Sequence, residues 1–313
     1  MKIGMITDSL GNLSFADMLK ASAELKLETL EFACGNWSSA PHMNLAAMLE
    51  SAAARREFMT AVKDHGLSIS ALNCSGNQLH PGPLGKVHHQ AVLDTIKLAK
   101  LLEVERVVMM SGLPGGPGDA NPNWIITDWP PECMEILEYQ WNEKIIPYWK
   151  DLVKFTNNQG IHKLCLELHG HQAVYNVNTL FRLRDAVGET IGANYDPSHP
   201  MWMNADPLLA VRVLGKAIYY VHAKDTRIET YPAGIDGTLE ARAPTRTAER
   251  SWNYITLGYG HGETWWKQFC TELKLAGYDD VLSIEHEDLM MSPMEGMRKS
   301  VQLLRNVAMN VGS

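Results

Sequence analysis

Eight short apolar runs, each followed by a stretch of helical periodicity, constrain this chain more than any other feature. They read KIGMIT (2–7), TLEFAC (29–34), LSISALNC (67–74), RVVMMSG (106–112), KLCLELHG (163–170), IGANYD (191–196), AIYYVHAKD (217–225) and VLSIEHED (281–288). Strands that are apolar on both faces are buried on both faces, and the helix after each is the crossover a parallel pairing needs. Helices are expected over 14–26, with Ser14 as N-cap, over 44–65 up to Gly66, over 86–102 and within 132–159. Further helices are expected over 176–187 up to Gly188, over 205–214 up to Gly215, over 263–276 and over 292–308. Eight such units predict the α/β class, as a single-domain (β/α)8 TIM barrel over residues 1–313. No G-x-G-x-x-G follows the first run, which removes the usual argument for a dinucleotide-binding sheet.

Composition narrows the function classes. The 28 basic and 36 acidic residues give a net charge of −8 with no basic block, so no nucleic-acid partner is expected. No apolar run reaches the roughly 20 residues that cross a bilayer, so no membrane association is expected. The segment MKIGMITDSLG turns polar too early for a secretory leader. The five cysteines (Cys34, Cys74, Cys133, Cys165 and Cys270) form no C-x-x-C pair and read as reduced thiols of a cytoplasmic protein.

Two loops are too long to be connectors, and both follow strands on the side where barrels place their active sites. One spans 111–132 and is rich in Gly, Pro and Trp; the other spans 226–261 and carries Arg227, Arg242, Arg246 and Arg250. The run GYGHG (258–262) reads as a turn or as a loop for substrate or phosphate.

The polar residues closing successive strands would converge on one mouth of such a barrel. The fifth strand ends in Glu167 and His169, the sixth in Asp196 with His199 beyond it. The seventh ends in His222, Lys224 and Asp225, the eighth in Glu285, His286 and Glu287. Clustered carboxylates repel one another unless a cation lies among them. Glu167, Asp196, His222 and Glu285 fit best as ligands of one divalent metal ion. Oxygen donors with one imidazole favour Mn2+, Mg2+ or Co2+ over a thiolate-type zinc site.

E-x-H, D-P-S-H, H-A-K-D and S-I-E-H on four consecutive strands, with LGYGHGETWW after them, resemble the xylose-isomerase-like superfamily. Within it the chain resembles the sugar-phosphate isomerase/epimerase group, which includes ketose 3-epimerases and inosose-processing enzymes. The resemblance implies that Glu167, Asp196, His222 and Glu285 bind one metal ion, often Mn2+. It further implies that His199 and Arg227 hold substrate oxygens nearby, and Lys224 is assigned to the same substrate-binding group. Apurinic endonucleases of this superfamily recruit extra His ligands from strands 3 and 4. Here those ends read Leu72-Asn73-Cys74 and Met109-Met110-Ser111, without His.

A metal on a ketose carbonyl and its neighbouring hydroxyl acidifies the C–H between them. Glu167 and Glu285, on opposite faces, would then take and return that proton, giving epimerisation at carbon 3. His169 is read either as a general base or as a group bracing Glu167, and His171 as a rim residue. PGGPGDANPNWI, WPPE and YQWNEKIIPYW (139–149) resemble a branch that includes catalytic subunits of deglycosidases acting on 3-oxo-glycosides. That resemblance implies β-elimination of an aglycone as the alternative reaction, with a small accessory subunit. Trp124, Trp129, Trp141 and Trp149 would stack on substrate or pack the loop. The expectation is an enzyme that enolises a keto sugar or glycoside, as a homo-oligomer. A non-catalytic sugar-binding barrel is the distant alternative.

Overall fold

The computed structural model describes residues 1–309. Among the described residues ten strands form: β1 (Lys2–Ile6), β2 (Thr29–Ala33), β3 (Ser68–Asn73), β4 (Arg106–Met109), β5 (Lys163–Glu167), β6 (Ile191–Tyr195), β7 (Ile218–Ala223), β8 (Asp225–Ile228), β9 (Trp252–Ile255) and β10 (Val281–Ile284). Eight of them close into a barrel in the order β1-β10-β7-β6-β5-β4-β3-β2, while β8 and β9 form a separate two-stranded sheet. All the barrel pairings are parallel, including the closing pair of β1 with β10 (Lys2↔Val281 to Met5↔Ile284). The (β/α)8 barrel expected from the alternation is therefore the fold.

The chain gathers into two compact units whose boundaries fall inside β2, helix Ala52–Asp64, β3 and β6. Among the described residues, one comprises 1–31, 60–70 and 195–309; the other comprises 32–59 and 71–194. In the first, helix Phe15–Glu24 starts at Ser14, whose hydroxyl accepts from Asp17 N, and helix Pro207–Leu214 starts at Asp206 in the same way. Arg212 joins that helix to helix Glu263–Leu275 through two 2.6 Å bonds to Glu272. In the second, Asn176 and Thr179 form a reciprocal capping box for helix Val177–Val187.

Three local expectations are corrected. The helix expected over 44–65 is two helices, Leu45–Glu50 and Ala52–Asp64. Ser51 is extended (φ −114°, ψ 112°) and its hydroxyl accepts from Ala54 N, so it ends the first and caps the second. The long helix within 132–159 contains a π-helical turn, Gln140–Ile145. That turn buries Gln140, whose Nε2 donates to Pro114 O (2.9 Å) and Asn123 O (2.7 Å) and so pins the loop 111–132. The segment 226–261 is not simply a loop, because it contains most of the β8–β9 hairpin and helix Thr230–Asp236.

Candidate metal and active site

Side chains two apart on a strand share a face, so Tyr220 and His222 on β7 point the same way. Both are fully buried, and Tyr220 bonds Ser70 Oγ at 2.7 Å. His222 is paired in register with Ser283 of β10. Its Nε2 lies 2.9 and 3.1 Å from the two carboxylate oxygens of Glu31, on β2, and its Nδ1 lies 3.3 Å from Glu285 Oε2. Ser283 Oγ donates to Glu31 Oε2 at 2.9 Å.

Asp196 follows β6 directly and is fully buried. Its Oδ1 accepts from Ser198 N at 2.8 Å. Its Oδ2 lies 3.2 Å from His199 Nε2 and 4.0 Å from Lys224 Nζ. His199 sits in the short helix Ser198–Trp202, and its Nδ1 is 3.0 Å from the Tyr254 hydroxyl on β9. Asp196, His199 and Tyr254 thus form a continuous polar chain.

Lys224 is buried between Glu285 Oε2 at 3.0 Å and Glu287 Oε2 at 2.5 Å, with Nζ 4.1 Å from the centre of the Tyr254 ring. Burial is the largest single influence on this amine and favours its neutral form. Glu285, Glu287, Tyr254 and Asp196 together outweigh burial and hold the pKa well above the ordinary lysine value. Lys224 is therefore a fixed cation beside the carboxylates.

Glu167 closes β5 and is buried, its Oε2 accepting from Asn194 Nδ2 at 3.3 Å across the β5–β6 register. The strand ends there, because His169 N turns back to Glu167 O at 3.0 Å. The fifth strand, expected to end in Glu167 and His169, therefore closes at Glu167, and His169 lies just beyond it as a neighbour. His169 Nδ1 faces Gly170 O. A carbonyl only accepts, so Nδ1 carries a proton and donates to it. His171 has φ +60° and meets the edge of Trp124, as a rim residue would.

The ligand atoms of Glu167, Asp196, His222 and Glu285 all lie within 4.8 Å of one another, and those of Glu167, His169 and His199 form a second such group. The first group is the set expected for a divalent cation. Asp196 Oδ2 is buried and, although 3.2 Å from His199 Nε2, receives no well-aligned hydrogen bond among the described residues. A buried carboxylate oxygen so poorly satisfied is costly, and a cation would complete it. The residues present therefore fit a divalent metal ion.

The surrounding segments settle further expectations. GYGHG is a turn held by Asp225, whose Oδ2 accepts from the amides of Gly258 (3.1 Å), Gly260 (3.2 Å) and His261 (2.9 Å). Those amides are already committed and do not form a phosphate cradle. Arg227 lies on β8 and bonds Glu229 Oε1 at 2.6 and 2.8 Å. Arg242 pairs with Asp236 and Glu240, Arg246 pairs with Glu249, and Arg250 donates to the carbonyls of Trp252 and Arg242. Trp141 and Trp149 are core residues, Trp149 donating to Ser111 O at 3.1 Å, whereas Trp129 is exposed. A cavity of about 760 Å3 lined by His80, His89, Asp119, Tyr139, Lys144 and Tyr148 contains none of the ligand residues. The site is defined by its donor chemistry and not by that cavity.

Two functional neighbours escaped the reading of the sequence. Glu31 left a signal, one acid inside the otherwise apolar run TLEFAC, since a charge there must find a partner. Tyr254 left none, because it lies far inside a segment read as loop.

A closed parallel barrel whose strand ends gather three carboxylates and one imidazole carries a candidate divalent-cation site. The chain belongs to the xylose isomerase-like TIM barrel family, whose sequence profile matches residues 19–307. It is 50% identical over 308 residues to the uncharacterized protein YfiH of Bacillus subtilis (strain 168), covering 97% of this chain and 98% of that one. A D-tagatose 3-epimerase-like protein superposes with a TM-score of 0.65 at 19% identity, covering 98% of each chain. The IolI protein, solved with a bound zinc atom, superposes with a TM-score of 0.67 at 16% identity, also covering 98% of each. Among the described residues, no helix is long and apolar enough to cross a membrane.

Proposed function

We propose that this protein is a divalent-metal-dependent enzyme of the sugar isomerase/epimerase type that enolises a keto sugar. The observation that carries the reading is the convergence of Glu167, Asp196, His222 and Glu285 within 4.8 Å. The 3-epimerase-like and zinc-bound relatives of the same fold support it. Mn2+ is the ion best suited to an oxygen-rich set with one imidazole, with Mg2+ and Co2+ next. A bound ion would supply Lewis-acid polarisation of the substrate carbonyl and its neighbouring hydroxyl.

The chain's own residues do the rest. Glu167 removes the proton next to the carbonyl, and Glu285 delivers one to the opposite face, which inverts that carbon. Lys224 holds Glu285 in place and balances its charge. His199, oriented by Asp196 and Tyr254, offers its imidazole to a substrate hydroxyl, and Arg227 serves the substrate from β8.

A second reading is favoured by His169, whose ring is held by Gly170 O beside Glu167 and His199. A base there suits removal of the proton at carbon 2 of a 3-oxo-glycoside. Electrons flow from that C–H bond into the carbon 1–carbon 2 bond, and the aglycone leaves carbon 1 with its electron pair. A small accessory subunit would belong to this version of the enzyme.

Incubating the Mn2+-loaded protein in D2O with a 3-keto glucoside and, separately, with a free ketose tests both readings. Deuterium incorporation without cleavage is expected for the epimerase, and aglycone release for the elimination. Glu167→Gln and Glu285→Gln should each lower exchange by at least about 100-fold, the scale of a lost acid or base, while the protein stays folded. Absence of exchange with either substrate at saturating Mn2+ would refute the enolising enzyme. Unchanged sugar affinity and function in both variants would instead mark a non-catalytic sugar-binding barrel.

A further inference from the structure

Glu31 is a fully buried carboxylate on β2, inside a strand whose adjacent residues Leu30 and Phe32 are fully buried as well. A carboxylate in such surroundings persists only where donors satisfy it. Its donors come from β7 and β10, two strands that are neighbours in register. Both of its oxygens reach His222 Nε2, at 2.9 and 3.1 Å, and Ser283 Oγ donates to Oε2 at 2.9 Å. An ionised carboxylate has no proton to give, so the hydrogen of this contact belongs to His222 Nε2. The other nitrogen, Nδ1, is turned toward Glu285 Oε2 at 3.3 Å and is the one that would give its lone pair to a bound ion.

We infer that Glu31 is a positioning residue for the cation site: it holds His222 with its proton on Nε2, so that Nδ1 is presented to the ion among Glu167, Asp196 and Glu285. The inference rests on the metal reading given above and deepens it. Two mechanisms follow from the geometry. The paired oxygens fix the rotation of the ring, so no ordering of the imidazole remains to be done when the ion arrives. The negative charge on the far nitrogen also makes Nδ1 a stronger donor, as carboxylate partners of metal-bound imidazoles generally do. Ser283 occupies Glu31 from the side and keeps its oxygens directed at the ring.

The test compares Glu31→Gln and Glu31→Leu with the unaltered protein. Gln keeps the size and one accepting oxygen but loses the charge, whereas Leu removes the anchor altogether. Mn2+ affinity is measured by titration calorimetry, and the melting temperature is measured without metal. The 15N spectrum of His222 is recorded with diamagnetic Mg2+ or Zn2+ bound. Glu31→Gln is expected to weaken Mn2+ binding about 10-fold and Glu31→Leu about 100-fold, the range found for such partners. Glu31→Gln should melt close to the unaltered protein, and His222 should carry its proton on Nε2. Binding within twofold of the unaltered protein in both folded variants, or a proton on Nδ1 with metal bound, would overturn this role for Glu31 alone. Absence of Mn2+ binding by the unaltered protein would overturn the metal reading and this inference together.

Discussion

Replacing Lys224 by Met should destabilise the metal-free protein strongly, and Mn2+ should restore much of the loss. The lysine lies 3.0 Å from Glu285, in contact with Glu287 and 4.0 Å from Asp196, with its side chain only 4% exposed. At an effective dielectric of about 20, unit charges attract by about 5–6 kcal/mol at 3.0 Å and about 4 kcal/mol at 4.0 Å. These gross terms are offset by the cost of keeping the ammonium out of water. Removing one partner of a buried pair nevertheless costs about 3–5 kcal/mol, because the remaining charge is stranded. Met fills nearly the same space, so the loss is electrostatic and not a cavity effect. At about 2 °C per kcal/mol for a chain of this size, the melting temperature should fall by roughly 6–10 °C without metal.

A bound divalent cation supplies the positive charge that the substitution removes. Saturating Mn2+ should therefore raise the melting temperature of K224M by more than it raises that of the unaltered protein. Differential scanning fluorimetry with and without Mn2+ reads both quantities. If K224M melts within about 1 °C of the unaltered protein without metal, Lys224 is not the counter-charge of this carboxylate cluster and the electrostatic argument fails.

Two other expectations concern the frame around the site. A Cβ at Gly260 would lie 2.5 Å from Thr226 O and 2.6 Å from Asp225 Oδ1, both held in place by the turn. Gly260→Ala should cost about 1–3 kcal/mol in urea denaturation, the range for forced overpacking, and an unchanged midpoint would contradict the turn described. Burial raises the thiol pKa of Cys74 to about 12 and of Cys270 to about 11, and Cys34 and Cys165 are buried as well. A disulfide exchange reagent at pH 8 should label about one thiol, Cys133, in the native protein and five only after unfolding; rapid labelling of a second would refute this.

The eight strands were legible because a parallel strand covered on both faces must be apolar almost throughout, and that requirement is local. Glu167, Asp196, His222 and Glu285 were legible for the complementary reason, since an acid or imidazole at the end of such a run stands out. Where the structure departs from the expectation, the deciding contact is an unusual local turn or lies far away in the chain. Ser51 breaks a helix by capping its successor, although the helical pattern runs through it. His169 falls outside β5 because its amide turns back onto Glu167. β8 and β9 pair across an intervening segment of 23 residues, 229–251, so no turn signal marks their hairpin.

The parallel barrel and the polar groups at four of its strand ends follow from the order of residues, because burial and periodicity are written residue by residue. What those groups do to one another follows from the folded chain. Glu31 meets His222 across 191 residues, and Lys224 meets Glu285 across 61. A hydrogen bond depends on ångström-scale placement after barrel closure, not on separation along the chain. That closure selects which nitrogen of His222 faces Glu31 and which faces Glu285, and it turns Lys224 from a strand-end lysine into the buried counter-charge of Glu285.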